Sequence, residues 1–173
     1  VAAGHYEGPV ELWPGVNLFG GFRGDESQRC ERDWTANETI IDGQQQIPNV
    51  IIGADFARLD GVTVRGGYGA MYGGGMLNDG VSPIVANCLF EENVAHYGGA
   101  MANIGGAAEI FDCVFRNNVV APRVEKITTG ARGGGAIYGE RDQATIQRCY
   151  FEDNSALNTD AAGEGGAIRG ESS

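Results

Sequence analysis

Apolar and polar positions alternate over short runs along the chain, and glycine, asparagine or aspartate closes each run. Alternation of that length is the period of a half-buried strand. No apolar stripe at helical spacing runs far enough to make a useful helix. Three of the runs align in phase: Val85-Ala-Asn-Cys88-Leu-Phe90-Glu-Glu-Asn93, Ile110-Phe-Asp-Cys113-Val-Phe115-Arg-Asn-Asn118 and Ile146-Gln-Arg-Cys149-Tyr-Phe151-Glu-Asp-Asn154. A fourth, Leu59-Asp-Gly-Val62-Thr-Val64-Arg-Gly-Gly67, fits with Val in the Cys and Phe slots. The steps from Val62 to Cys88, Cys113 and Cys149 are 26, 25 and 36 residues. A second element recurs in step with the first, as Gly74-Gly-Met-Leu77, Gly98-Gly-Ala-Met101, Gly134-Gly-Ala-Ile137 and Gly165-Gly-Ala-Ile168.

A repeat of about 25 residues, built of short strands and glycine turns, selects a parallel β-helix with one coil per repeat. Equivalent residues then stack about 4.8 Å apart along the axis. Strand alternation assigns the faces. With Phe90, Phe115 and Phe151 pointing inward, Cys88, Cys113 and Cys149 point inward too, after Val62 and Val64 one coil earlier. Arg65, Glu91, Arg116 and Glu152 then form an outward ladder of alternating sign that penalises a slip in coil order. Thr63, Leu89, Val114 and Tyr150 run beside it as an increasingly apolar stripe. Asn93, Asn118 and Asn154 fall at one corner, where side-chain amides bond along the axis and left-handed geometry is tolerated. Upstream, Val10-Glu-Leu-Trp-Pro-Gly-Val-Asn-Leu-Phe-Gly-Gly-Phe22 reads as two strands around a Pro-Gly turn, and Thr39-Ile-Ile-Asp-Gly43 and Val50-Ile-Ile52 resume the pattern. The whole comes to about six coils, a rod roughly 25–30 Å long, with lateral loops at 23–37 and 119–133. Val1 opens as if a fold were already under way, so the single solenoid domain, 1–173, reads as one segment of a longer or processed protein.

Composition narrows the class. The chain holds 29 glycines among 173 residues but only 5 prolines, and no G-X-Y period, which excludes collagen. Hydrophobic residues make up 42%, too many for a disordered chain. No apolar run is long enough for a membrane-spanning helix. Twelve bases against 23 acids give a net charge of −11, with Lys126 the only lysine. That balance argues against nucleic acid, which demands a basic face.

The paired motifs carry a resemblance. Phe-x-x-Asn at Phe90…Asn93, Phe115…Asn118 and Phe151…Asn154, paired with Gly-Gly-Ala-Ile at 98–101, 134–137 and 165–168, resembles the repeat of the chlamydial polymorphic outer-membrane proteins. The opening, with Val16-Asn-Leu-Phe-Gly-Gly-Phe22 and Arg32-Asp-Trp34, is similar to bacterial right-handed β-helix surface proteins. The resemblance implies a right-handed parallel β-helix in an exported, extracellular or cell-surface region of adhesive or structural role.

Candidate chemistry is sparse. The cysteines match no zinc spacing and include no Cys-x-x-Cys. Cys88, Cys113 and Cys149 read as core thiols, with a disulfide between neighbouring coils as the alternative. Cys30 stands alone in the first loop. A polysaccharide lyase or hydrolase is the enzymatic alternative, but His5 and His96 are the only histidines, and His96 with Tyr97 reads as a surface pair. Glu92 and Asp153, two coils apart on either side of Asn117, would satisfy the carboxylate separation of a hydrolase, a spacing that solenoids produce trivially. No cofactor is expected; the acidic stretch 152–164, with Asp153, Asp160 and Glu164, offers at most weak Ca²⁺ contact without the regular spacing of a calcium loop. The expected partners are other protein chains or surface glycans. They would be met through Arg123, Lys126 and Arg132 on the loop 119–133 or the stripe of Leu89, Val114 and Tyr150; the alternative, a carbohydrate-active enzyme or glycan-binding module, would use exposed Trp13, Tyr72 or Tyr138. Exposed strand edges also make stacking through the solenoid ends an expectation.

Overall fold

The structure, a computed structural model, describes residues 1–121, 133–156 and 166–171. Every strand pairing among them is parallel. They contain no α-helix; the only helical element is a short 3-10 turn at Arg29–Glu31. On the first face, Gly4–Glu7, Thr39–Ile47, Thr63–Tyr72, Leu89–Glu91, Val114–Arg116 and Tyr150–Glu152 stack in that order. Thr63–Tyr72 bends around the corner and carries on to Val94–Tyr97, Val119–Val120 and Ser155–Ala156. A second face stacks Val10–Glu11, Ile51–Ile52, Met76–Asp79, Met101–Ile104, Ile137–Glu140 and Ile168–Glu171. The third stacks Asn17–Phe19, Arg58–Asp60, Ile84–Ala86, Glu109–Phe111 and Thr145–Gln147. Chain order runs around the faces while hydrogen bonds run along the axis, which makes the molecule a parallel β-helix.

The interior is the inward half of each alternation. Val64, Phe90 and Phe115 are in register and fully buried. Phe90 stacks on Phe115 at 5.2 Å and Phe115 on Phe151 at 5.0 Å, with rings within 10° of parallel. Each buried ring contributes roughly 1.5–3 kcal/mol. Leu59, Val85 and Ile110 fill the third face, and Ile51, Met76, Met101 and Ile137 the second.

Corners explain the polar half of the repeat. Asn87, Asp112 and Arg148 take left-handed φ of 50–55° just before the Cys column, and Glu92, Asn117 and Asp153 do so just before the Asn column. The left-handed residue is therefore the one preceding each ladder Asn, not the Asn itself as the sequence suggests. The glycine motif also shifts in its first copy. Met76 pairs with Met101, so the equivalent of Gly98 is Gly73, and the first repeat is Gly73-Gly-Gly-Met76 rather than Gly74 to Leu77. Gly73, Gly98 and Gly134 all have φ of 59–70°. A Cβ on Gly99 would overlap the Gly135 carbonyl of the next coil, so side-chain-free backbone is what lets the coils close up there.

The first lateral loop is anchored rather than simply solvated. Arg32 reaches from it to the carboxylate of Asp60 at 2.5 Å and to the carbonyls of Gly20 and Asp60. Its guanidinium also lies over the rings of Phe19 and Trp34. The second loop's 122–132 lies outside the described residues.

Candidate functional site

The Phe-x-x-Asn motif is a hydrogen-bond device. Asn118 donates from Nδ2 to the Phe90 carbonyl one coil back at 2.9 Å, and Asn154 donates likewise to Phe115 at 2.8 Å. Each amide oxygen serves the preceding Asn. Asn118 Oδ1 accepts from Asn93 Nδ2 at 3.0 Å and from its backbone N–H at 3.2 Å, and Asn154 Oδ1 does the same for Asn118. Asn93 itself serves Gly67 and Val64 in the coil before. Two residues separate Phe from Asn because the same corner must offer one coil's carbonyl to the next coil's amide. Asn93 and Asn118 are fully buried, so the bonds to their side chains satisfy groups that water does not reach.

Outward, the charge ladder is longer than the repeat alone indicates. Register places Glu7, Asp42, Arg65, Glu91, Arg116 and Glu152 in one column. Arg65 bonds Asp42 at 2.8 Å and Arg116 bonds Glu91 at 2.5 Å. Burial opposes ionisation of Asp42, but the Gln44 amide and the Arg65 guanidinium outweigh it and hold its carboxyl below the usual range. Arg116 is raised by Glu91, with Glu152 adding to the field.

The neighbouring stripe forms a groove. Thr63, Leu89 and Val114 are in register with Tyr150, which is 59% exposed. The anchored loop leans over this stripe. Trp34, Thr35 and Glu38 face Leu89, Val114 and Asp112 across a groove of about 280 Å³. Thr63 is covered, its hydroxyl donating to Glu38 at 3.2 Å. Leu89 and Val114 are half-buried at the floor. Arg123, Lys126 and Arg132, the basic contact candidates, lie outside the described residues, as do Asp160 and Glu164.

Several candidates are placed differently from expectation. His96 is fully buried, with its ring edge-on to Tyr97 at 4.8 Å, so it is no surface pair. Tyr138 is buried at 2% exposure; Tyr72 and Tyr97 stack at 5.0 Å, and Tyr138 lies 4.9 Å from Tyr97. Burial and the carboxylates of Glu171 and Glu140 push the Tyr138 hydroxyl up. Trp13 alone of the three proposed aromatics stands open, at 71%. Glu92 and Asp153 sit on the exposed corner with Asn117 between them. Among the described residues no group of three or more His, Cys, Asp or Glu side chains is placed to hold a metal ion.

The cysteines are free thiols. Cys88 and Cys113 are buried, Cys149 is half-buried and Cys30 is exposed in the loop. Bonds from Val114 N to the Cys88 carbonyl and from Tyr150 N to the Cys113 carbonyl, both 2.9 Å, set them one above another. Cys113 is pushed up by its thiol neighbours Cys149 and Cys88 and then by burial, while the Cys113 hydrogen bond brings Cys149 down to about 7.

Sequence reasoning missed the buried ion cluster at the loop base. Asp60 is 1% exposed and bonds Arg32, Arg58 at 2.6 Å and Asn87 at 3.0 Å. Burial raises its pKa, yet these three donors together hold it below the usual carboxylate range. Its register partners are Phe19 and Ala86, so no repeating column announces it.

Stacked parallel coils with an Asn ladder and a glycine corner define a β-solenoid repeat protein. Two segments, 112–140 and 148–171, match the Chlamydia polymorphic membrane protein repeat, which bears out the resemblance over the last coils. No curated protein and no solved structure matches the chain.

Proposed function

We propose that this chain is a structural and adhesive module of a bacterial outer-membrane or cell-surface protein, working by contact rather than by chemistry. The observation that carries the reading is the match of 112–140 and 148–171 to a repeat of membrane surface proteins, in a stack whose ladders make it stiff. Its contact surface is the groove under Trp34 with the Leu89, Val114 and Tyr150 stripe, and its partners are other protein chains or surface glycans. Aromatic and apolar floors ringed by polar groups suit both. The acidic balance, −11, disfavours anionic partners and nucleic acid.

Catalysis is set aside in this reading because Glu92 and Asp153 occupy an open corner and His96 is fully buried. Beads coated with the chain should adhere to epithelial cells several-fold above albumin-coated beads. A Trp34→Ala, Tyr150→Ala pair should remove most of the excess, and chelation of calcium should leave it unchanged. Adhesion equal to albumin, or release of reducing sugar from polysaccharides, contradicts the reading.

A further inference from the structure

The two most exposed large apolar side chains among the described residues stand at one corner of the stack. Phe56 is 79% exposed and Trp13 is 71% exposed, with Val16 also open to solvent. Both lie on turns that join the second face to the third, on successive coils. The Val16 N–H donates to the Trp13 carbonyl at 2.9 Å to close one turn, and the Ala57 N–H donates to the Ala54 carbonyl at 3.3 Å to close the next. The Gly15 N–H donates to the Asp55 carbonyl at 2.9 Å and holds the two turns side by side. The flanking register, Glu11 with Ile52 and Asn17 with Arg58, makes Gly15 and Phe56 equivalent. Both have left-handed φ, 72° and 57°. Glycine takes that geometry freely, whereas a bulky side chain there is a strained outlier. At its exposure the Phe56 ring returns little packing to offset that strain, which points to a role outside the fold.

The tip is apolar: Trp13, Pro14, Gly15 and Val16 make one turn, and Phe56 projects from the next. Asp55, the one carboxylate within the two turns, accepts from the Ser82 backbone N–H at 2.9 Å. Two aromatic rings on a convex corner suit the interfacial layer of a bilayer, where Trp is enriched and no complementary pocket is needed. The net charge of −11 repels an anionic surface and so selects neutral, zwitterionic headgroups. We propose that Trp13 and Phe56 form a docking prong that dips into the headgroup layer of a zwitterionic lipid bilayer. Contact through two side chains makes the docking weak and reversible. The groove under Trp34 is lined by Gly61–Thr63 and Asn87–Leu89, where the third face turns into the first, so the prong is a separate surface.

The test is flotation of the 173-residue chain with phosphatidylcholine vesicles. The chain should float with the vesicles, added salt should leave the partition unchanged, and phosphatidylserine in the vesicles should weaken it. Phe56→Asn and Trp13→Ser should each cut the partition about tenfold or more. Asparagine accepts left-handed φ, so Phe56→Asn should unfold at or above the parent's temperature, and its lost binding is then not lost fold. The vesicles carry neither protein nor glycan, so failure here leaves the adhesive reading standing, and failure of bead adhesion leaves the prong standing. Absence of flotation, flotation that survives either substitution, or flotation that requires anionic lipid overturns the proposal. Self-association of the lipid-free chain that Phe56→Asn abolishes also overturns it, since a second copy is then the occupant.

Discussion

Asn118 shows how much one residue of the repeat must do. It accepts two hydrogen bonds from Asn93, donates to Phe90 and engages Asn154, all while buried. Asn118→Ala strands several of those groups at once, and each orphan costs about 1–3 kcal/mol. Urea unfolding should therefore lose about 2–4 kcal/mol for Asn118→Ala, and less for the half-buried Asn154→Ala. Asp60 is the other residue on which much converges. Its carboxyl is held low, so it stabilises the fold above the unfolded value of about 3.9 and loses that contribution as pH falls through the folded value. Asp60→Asn should flatten the acid limb of stability below about pH 5, where the parent loses this contribution as pH falls. It should also cost about 3 kcal/mol at neutral pH, because Arg32 is left buried beside a neutral partner. An acid limb as steep as the parent's contradicts this role.

At the scale of the strand and its corner, coils close on glycine backbone. Gly99→Ala forces a Cβ into the Gly135 carbonyl, and thermal unfolding should shift down by more than about 4 °C, the upper end of the shift that about 1 kcal/mol produces in a domain of this size. Phe115 is sandwiched between two rings where Phe151 has one ring partner. Phe115→Ala should accordingly cost about 3–5 kcal/mol and Phe151→Ala less. What was legible in the residues follows the same logic. The Cys, Phe, Asn and Arg–Glu columns could be read because alternation and repeat both constrain them. The first glycine motif was misread by one position because Gly73, Gly74 and Gly75 are interchangeable until Met76 fixes the register. His96 and Tyr138 read as exposed because outward positions carry no sign of what covers them. The Asp60 cluster was invisible because it joins a loop to a coil instead of repeating.

For the whole molecule, stacking is the claim on which the ladders, the groove and the thiol column all rest. Isotope-labelled chain observed by NMR addresses it in solution. Parallel stacking requires aromatic contacts running from Phe90 to Phe115 to Phe151 and amide contacts linking Leu89, Val114 and Tyr150 in one register. Contacts in reversed, antiparallel order, or none between these coils, would contradict the β-solenoid and every surface derived from it.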